Sequence, residues 1–281
     1  MDKTPEFPGY KIDSASEFDR FLIEYCINNK LYLNVCNFCQ KCNASIGDTI
    51  LIKGMVETAH SRRYYNFVEY LSNIKQDYVA SRFLLVLSQY QGLNLSFVDK
   101  DVRILETHEG SIHNIRLQLI KSSFKGFYDV LDKIAYFLND YLSLRIPETQ
   151  IDFHGMWYSD RKKKQISKRI LEIANLKLCA LYDIHGDFVD GPYKGLRNTR
   201  NALTHRFVSV RKQVHEENDY VMTEDALLRR TLELSRIVRN AVICLVSFVY
   251  EEEMKKLARI RDKGIPVRIQ EIRDDSEAVR R

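Results

Sequence analysis

A chain of 281 residues, 45% apolar and 29% charged, has the makeup of a globular protein with one large domain or two small ones, and not of a disordered chain. Its net charge of +5 permits contact with a polyanion without requiring it. No uninterrupted apolar run could cross a bilayer, the opening "MDKTPEFPGYKIDSASEF" lacks the apolar core of a secretory signal, and six irregularly spaced cysteines make no disulfide framework, so the expected compartment is the reducing cytoplasm, with no membrane partner.

Only 11 glycines and 5 prolines are present, which favours long helices over many turns. The first ten or so residues, with Pro5, Pro8 and Gly9, read as an arm or entry loop. "SASEFDRFLIEYCINNK" opens a helix. Ser14 and Glu17 have capping-box spacing, and Phe18, Phe21, Leu22 and Tyr25 share a face. "LYLNVCNFCQKCNASIGDTILIKG" is irregular and reads as loop with short pieces of structure. From His60 to about Gln91 apolar residues recur at three and four, and Gly92 stands as a stop. "GLNLSFVDKDVRILETHEGS" is a connection with room for a short extended piece.

The longest clean helix follows in "HNIRLQLIKSSFKGFYDVLDKIAYFLNDYLSL", with an apolar stripe from Leu117 to Leu142, and Pro147 ends it. "IDFHGMWYSD" reads as a loop anchored by Trp157. "RKKKQISKR" opens the next helix, which continues through "ILEIANLKLCALYDIHGDF" to a break at Gly191-Pro192. A last helix starts near Thr223, an N-cap followed by Glu224 and Asp225 in the first turn, and fades into a charged tail after Gly264. The reading is all-α: an N-terminal helical region over 1–105 with a regulatory or docking role, a bundle of four or five helices over 106–260, and a charged tail over 261–281.

One stretch stands out, "YKGLRNTRNALTHRFVSV" at residues 193–210. Solvated charge runs lack its apolar residues and buried helices lack its arginines. On a helix, Arg197, Asn201 and His205 fall at i, i+4 and i+8 on one face, Arg200 and Thr204 lie one position round, and Leu196, Leu203 and Phe207 form an opposing apolar stripe. A fixed cation beside a group that titrates near neutrality suits phosphodiester chemistry. Arginine stabilises charge on phosphoryl oxygens, and histidine passes a proton to or from a ribose hydroxyl.

The segment "RNALTH", residues 200–205, resembles the Arg–x4–His signature of the HEPN (higher eukaryotes and prokaryotes nucleotide-binding) superfamily, with Asn201 in the polar position after the arginine. "RILETH", residues 103–108, has the same spacing, but it sits in a connecting segment and has no polar residue after its arginine. The surrounding text, from "FYDVLDKIAYFLNDYLSL" and "IDFHGMW" to "NLKLCALYDIHGDF" and "LRNTRNALTHR", is similar to one bacterial branch of HEPN proteins over roughly residues 115–255. The resemblance implies a HEPN-type helical bundle that dimerises, with two motifs meeting across a composite active site.

It also implies a metal-independent endoribonuclease that leaves a 2′,3′-cyclic phosphate, acting as a toxin or defence effector, with RNA as substrate and no cofactor. In this reading His205 handles the 2′-hydroxyl or leaving-group proton, Arg200 steadies the scissile phosphate, and Asn201 orients one of them. Arg197 is assigned an RNA phosphate contact from its helical spacing, and Asp132 is a candidate to hold an arginine in place. A regulatory protein encoded nearby would be a further partner. Some toxin–antitoxin relatives carry, two residues after the histidine, a tyrosine that a partner enzyme modifies. Here that position is Phe207, which has no hydroxyl, so silencing by modification at this position is excluded. The alternative reading within the family is a non-catalytic module that binds RNA, a nucleotide or a protein.

"CNFCQKC" places Cys36, Cys39 and Cys42 at the spacing of zinc or iron–sulfur ligands. No second knuckle supplies the missing ligands, and every-third spacing also suits a short helix face packed inward, so no metal is expected. The basic run "RKKKQISKR" reads first as a solvated helix face, with an RNA-backbone contact as the functional alternative.

Overall fold

Apolar residues recurring at three and four build seven α-helices among the residues that the computed structural model describes, namely 16–36, 43–57, 63–104, 110–262 and the backbone of 268–271. They are α1 (Glu17–Asn29), α2 (Arg63–Gln89), α3 (Ile115–Tyr141), the single turn α4 (Lys168–Leu171), α5 (Leu176–Val189), α6 (Lys194–His205) and α7 (Glu224–Arg261). Short strands pair in twos. β1 (Gly54–Glu57) is antiparallel to β6 (Arg268–Glu271), β2 (Tyr158–Asp160) is antiparallel to β3 (Gln165–Ile166), and β4 (Ser209–Arg211) runs parallel to β5 (Val221–Thr223). The protein is therefore largely helical, as its sparse turn residues imply.

The helix ends follow local chemistry. Ser16, not Ser14, caps α1: its hydroxyl oxygen accepts from the Asp19 amide at 3.1 Å, while Ser14 and the N-terminal arm lie outside the described residues. Thr223 caps α7, its hydroxyl oxygen accepting from the Ala226 amide at 3.2 Å. The break before α6 needs Gly191, because a Cβ there would stand 2.6 Å from the Asp187 backbone. The connection after α2 holds a 3-10 turn at Leu95–Phe97, and Ser111 forms an isolated bridge to Arg211.

One expectation fails. The basic run does not open a helix that continues to Val189. Residues 161–164 instead form the turn between β2 and β3, with Lys164 in the left-handed region at φ 49°, and the Asp160 carboxylate accepts from the amides of Lys162 and Lys163. After α4 the chain breaks again, and the Asn175 side-chain oxygen restarts it by accepting from the Lys177 amide at 2.9 Å. Two short polar side chains thus satisfy backbone donors locally and outcompete helix propensity.

The chain divides into two compact units. The first takes the described parts of Met1–Thr49, Asp77–Val130 and Gly186–Asn240; the second takes those of Ile50–Gln76, Leu131–His185 and Ala241–Arg281. In the first unit, Arg82 holds Asp48 through two hydrogen bonds of 2.8 and 2.7 Å, and its Nη1 also donates to the Leu31 carbonyl. Arg239 donates to the carbonyls of Tyr32 and Asn34, and Tyr78 donates its hydroxyl to Leu31. The loop after α1 is thereby tied down by hydrogen bonds from buried side chains. Its first described cysteine, Cys36, is half-buried, with its amide on the Asn34 side-chain oxygen; Cys39 and Cys42 lie outside the described residues.

In the second unit Trp157 is fully buried and its indole N–H donates to the Phe153 carbonyl at 2.7 Å, the anchor expected of this loop. His185 is buried between Tyr158 and His154, and the carboxylate of Asp132 accepts from the Phe153 amide. Glu253 is almost wholly buried and accepts from the Val56 amide and the Tyr141 hydroxyl, fixing β1 to α7.

Candidate functional site

Helix α6 carries the arginine–histidine motif, and its placement begins with what it buries. Leu196, Thr199 and Ala202 are inward, and Leu203 packs on an apolar cluster of Leu117 and Ile120 from α3, Val210 from β4, Met222 from β5, and Ala226 and Leu227 from α7. Thr199 uses its hydroxyl twice, donating to the Gly195 carbonyl at 2.9 Å and accepting from Arg230 Nη1 at 2.6 Å. The inner side of α6 is therefore fixed both by apolar burial and by a half-buried hydrogen bond from α7.

The outer side holds the predicted site. Asn201 and His205, one turn apart, line an open depression of about 550 Å³ together with Asn198, Ala202, Arg206, Asp219 and Tyr220. Both are exposed, and among the described residues the His205 imidazole makes no hydrogen bond to protein. Arg200 is turned away from that lining. Its guanidinium lies over the Tyr128 ring of α3, 5.2 Å from the centroid, while its Nη1 reaches back to the Asn201 side-chain oxygen at 3.4 Å. Tyr128 is in turn packed edge-on against Phe188 of α5, which contacts Tyr193 at the head of α6. Arg197 is half-exposed and outside the lining, and among the described residues its guanidinium makes no hydrogen bond.

The structure thus brings Asn201 and His205 to one wall, sets Arg200 beside them through Asn201, and leaves Arg197 apart. It corrects the reading of Phe207. The helix stops at His205, Arg206 is extended at φ −142° and ψ −179°, and Phe207 is 98% exposed rather than part of the apolar stripe. Once the chain is extended its period is two, so Val208 and Val210 turn inward and Phe207 turns out.

Sequence reading passed over the rest of the depression. Asp219 accepts from the Asn198 amide group at 2.9 Å and pairs with Arg230 at 3.4 Å, and the Arg206 guanidinium lies over the Tyr220 ring with its Nη1 bonded to the Tyr220 hydroxyl at 2.8 Å. These partners come from the loop before β5 and from α7, so no local spacing announces them. The one legible signal is the polar pair "ND" before Tyr220, a turn composition. Among the described residues no group of three histidine, cysteine or acidic side chains is placed to hold a metal ion, and no helix is long and apolar enough to cross a membrane.

Chemically the depression offers an accessible imidazole, an amide side chain and neighbouring cations, and its single carboxylate is already paired. Groups of these kinds are chemically able to hold a phosphate. The chain belongs to the HEPN superfamily: the family model described as LA2681-like HEPN matches residues 58–252, more than half of its length. No curated protein and no solved structure matches it. HEPN domains are nuclease or nucleotide-binding modules, and often ribonucleases.

Proposed function

We propose that the protein is a metal-independent endoribonuclease. The observation that carries this reading is the exposure of His205 and Asn201 on one wall of an open depression, with Arg200 held alongside, in a chain of this family. A neutral His205 takes the proton from a ribose 2′-hydroxyl, the 2′-oxygen attacks the adjacent phosphorus, and the 5′-oxygen leaves and is protonated, giving a 2′,3′-cyclic phosphate and a 5′-hydroxyl. Arg200 stabilises the extra charge on the phosphoryl oxygens, Asn201 orients the guanidinium or the phosphate, and Arg197 contacts a flanking phosphate. One imidazole cannot accept and donate in the same step. A homodimer with two motifs facing each other supplies both roles, and this is the assembly we propose. The biological setting that fits is a toxin or defence effector in the cytoplasm, controlled by a protein encoded nearby.

The test is cleavage of RNA by the purified chain in EDTA, compared with His205→Ala. Cyclic-phosphate ends from the wild type and none from the variant support the reading. A second reading, a non-catalytic module binding RNA or a nucleotide, keeps the same depression without the proton transfer. It is favoured if both proteins stay folded, bind RNA equally and cut nothing.

A further inference from the structure

Of the three arginines in the stretch at residues 193–210, the one outside the arginine–histidine motif and its helical face lies in the wall of the depression. Arg200 rests on Tyr128 and Arg197 stands outside the lining, whereas Arg206 belongs to it and is its only cation among the described residues. Arg206 is held at both ends. Its amide donates to the Ala202 carbonyl at 2.9 Å, closing the last turn of α6. Its guanidinium lies over the Tyr220 ring, 5.2 Å from the centroid, and Nη1 donates to the Tyr220 hydroxyl at 2.8 Å. Tyr220 is fixed in turn: the Ser209 amide donates to its carbonyl at 2.8 Å, and its own amide donates to the Asn218 side-chain oxygen at 2.9 Å. A guanidinium carries N–H donors on all three nitrogens, and among the described residues Nε and Nη2 of Arg206 make no bond to protein. No carboxylate there competes for the charge, because Asp219, the acid of the lining, accepts from Asn198 and is paired with Arg230.

We propose that Arg206, oriented by Tyr220, is the arginine that grips the scissile phosphodiester at the His205 site. A planar fork with open donors, next in the chain to a proton-transfer group, matches the paired non-bridging oxygens of a phosphate. Arg206 donates to those oxygens while the 2′-oxygen attacks phosphorus and the 5′-oxygen departs, and no proton leaves the guanidinium. Arg200 adds its charge from beside Asn201. Tyr220 is a positioning residue: its ring and hydroxyl hold the fork in place and leave its charge intact.

This inference rests on the ribonuclease reading, and the experiment separates the two. Wild type, Arg206→Gln, Tyr220→Leu and Lys212→Gln are compared, the last removing an equal charge from an exposed residue outside the lining. Each is measured for melting temperature, for binding of a labelled RNA blocked by 2′-O-methyl groups, and for cleavage of the unmodified strand. Cleavage is repeated with sulfur in place of either non-bridging oxygen at the phosphate that is cut. The Arg206 side chain is exposed and bonded only to Tyr220, so Arg206→Gln should melt like wild type. It should lower kcat/KM about 100- to 1,000-fold, as loss of an oxyanion donor does, and weaken binding of the blocked strand. It should also flatten the sulfur effect at one of the two oxygens, since a donor that is already gone cannot be lost again. Tyr220→Leu should shift the same readings less far, and Lys212→Gln should stay near wild type. In a wild type that cuts RNA, equal losses in Arg206→Gln and Lys212→Gln, or an undiminished sulfur effect in Arg206→Gln, overturn the grip alone. A wild type that binds without cutting overturns the ribonuclease reading, and the grip survives there only if Arg206→Gln binds more weakly. A wild type that neither binds nor cuts RNA overturns both.

Discussion

The Arg200 guanidinium lies over the ring of Tyr128, 5.2 Å from its centroid, so a residue of α3 holds the arginine of the α6 motif. Tyr128 is 3% exposed and braced by Phe188, which makes it a rigid platform rather than a passing contact. An arginine held in this way is oriented before substrate arrives.

Tyr128→Leu should therefore lower the rate of RNA cleavage about 2- to 30-fold, the worth of one cation–π contact, while Tyr128→Phe keeps the ring and most of the rate. Single-turnover cleavage rates, taken with melting temperatures, check this. If Tyr128→Phe falls as far as Tyr128→Leu, the ring face is not what orients Arg200.

Arg82 and Asp48 form a hydrogen-bonded ion pair with side chains 7% and 19% exposed. Arg82→Met should cost about 3–5 kcal/mol, because it strands a carboxylate in a site built for a cation. Pairing Arg82→Met with Asp48→Leu should recover part of that loss. Urea midpoints at constant slope measure both. A double variant less stable than the single one would contradict the argument.

Burial pushes the Cys26 thiol up to about 12, opposed by the Arg82 cation and aided by the Asp48 carboxylate, whereas Cys179 is exposed. At pH 8 a thiol-alkylating reagent followed by peptide mass spectrometry should label Cys179 within minutes. Cys26 should label only at the rate of unfolding. Rapid labelling of Cys26 in the folded protein would show that the start of the chain opens locally.

The Glu217 carboxylate accepts from the Thr223 hydroxyl at 2.6 Å, which holds its pKa below the ordinary value against the opposing effect of burial. A depressed carboxyl contributes stability that is present above the ordinary carboxylate range and lost as pH falls through its lower, folded value. Glu217→Gln should accordingly melt slightly below wild type at pH 7, with the difference vanishing on the acid side of that range. Melting curves taken between pH 7 and pH 3 decide it. A gap that persists at pH 3 would mean that the contact matters for its shape and not for its charge.

Much of this protein was legible in one dimension. The stripes from Phe67 to Leu87 and from Leu117 to Leu142 became α2 and α3, Thr223 capped α7, Gly191 marked the break before α6, and Trp157 proved an anchor, because each depends on residues within a turn or two of itself. The spacing of Asn201 and His205 likewise put them on one wall as soon as a helix formed.

Other features depend on where a local preference yields to a competitor. A continuous helix from residue 161 gave way to a turn at Asp160 and a fresh start at Asn175, since side-chain oxygens took the backbone donors that a helix would have used. Phe207 moved from the apolar stripe to solvent because α6 ended two residues before it and the period changed from 3.6 to two.

By itself, then, the sequence determined the helices, their stops and the motif, all of which are set by backbone hydrogen bonding and apolar period over short distances. Only the tertiary structure decided that Arg200 would rest on Tyr128, that Asp219 and Tyr220 would close the depression around His205, and that Asp48 would meet Arg82. These partners are far apart in the chain or on separate elements. Those around α6 meet because burying the apolar faces of α3, α6 and α7 fixes where their polar edges must lie, and nothing in local spacing encodes that meeting.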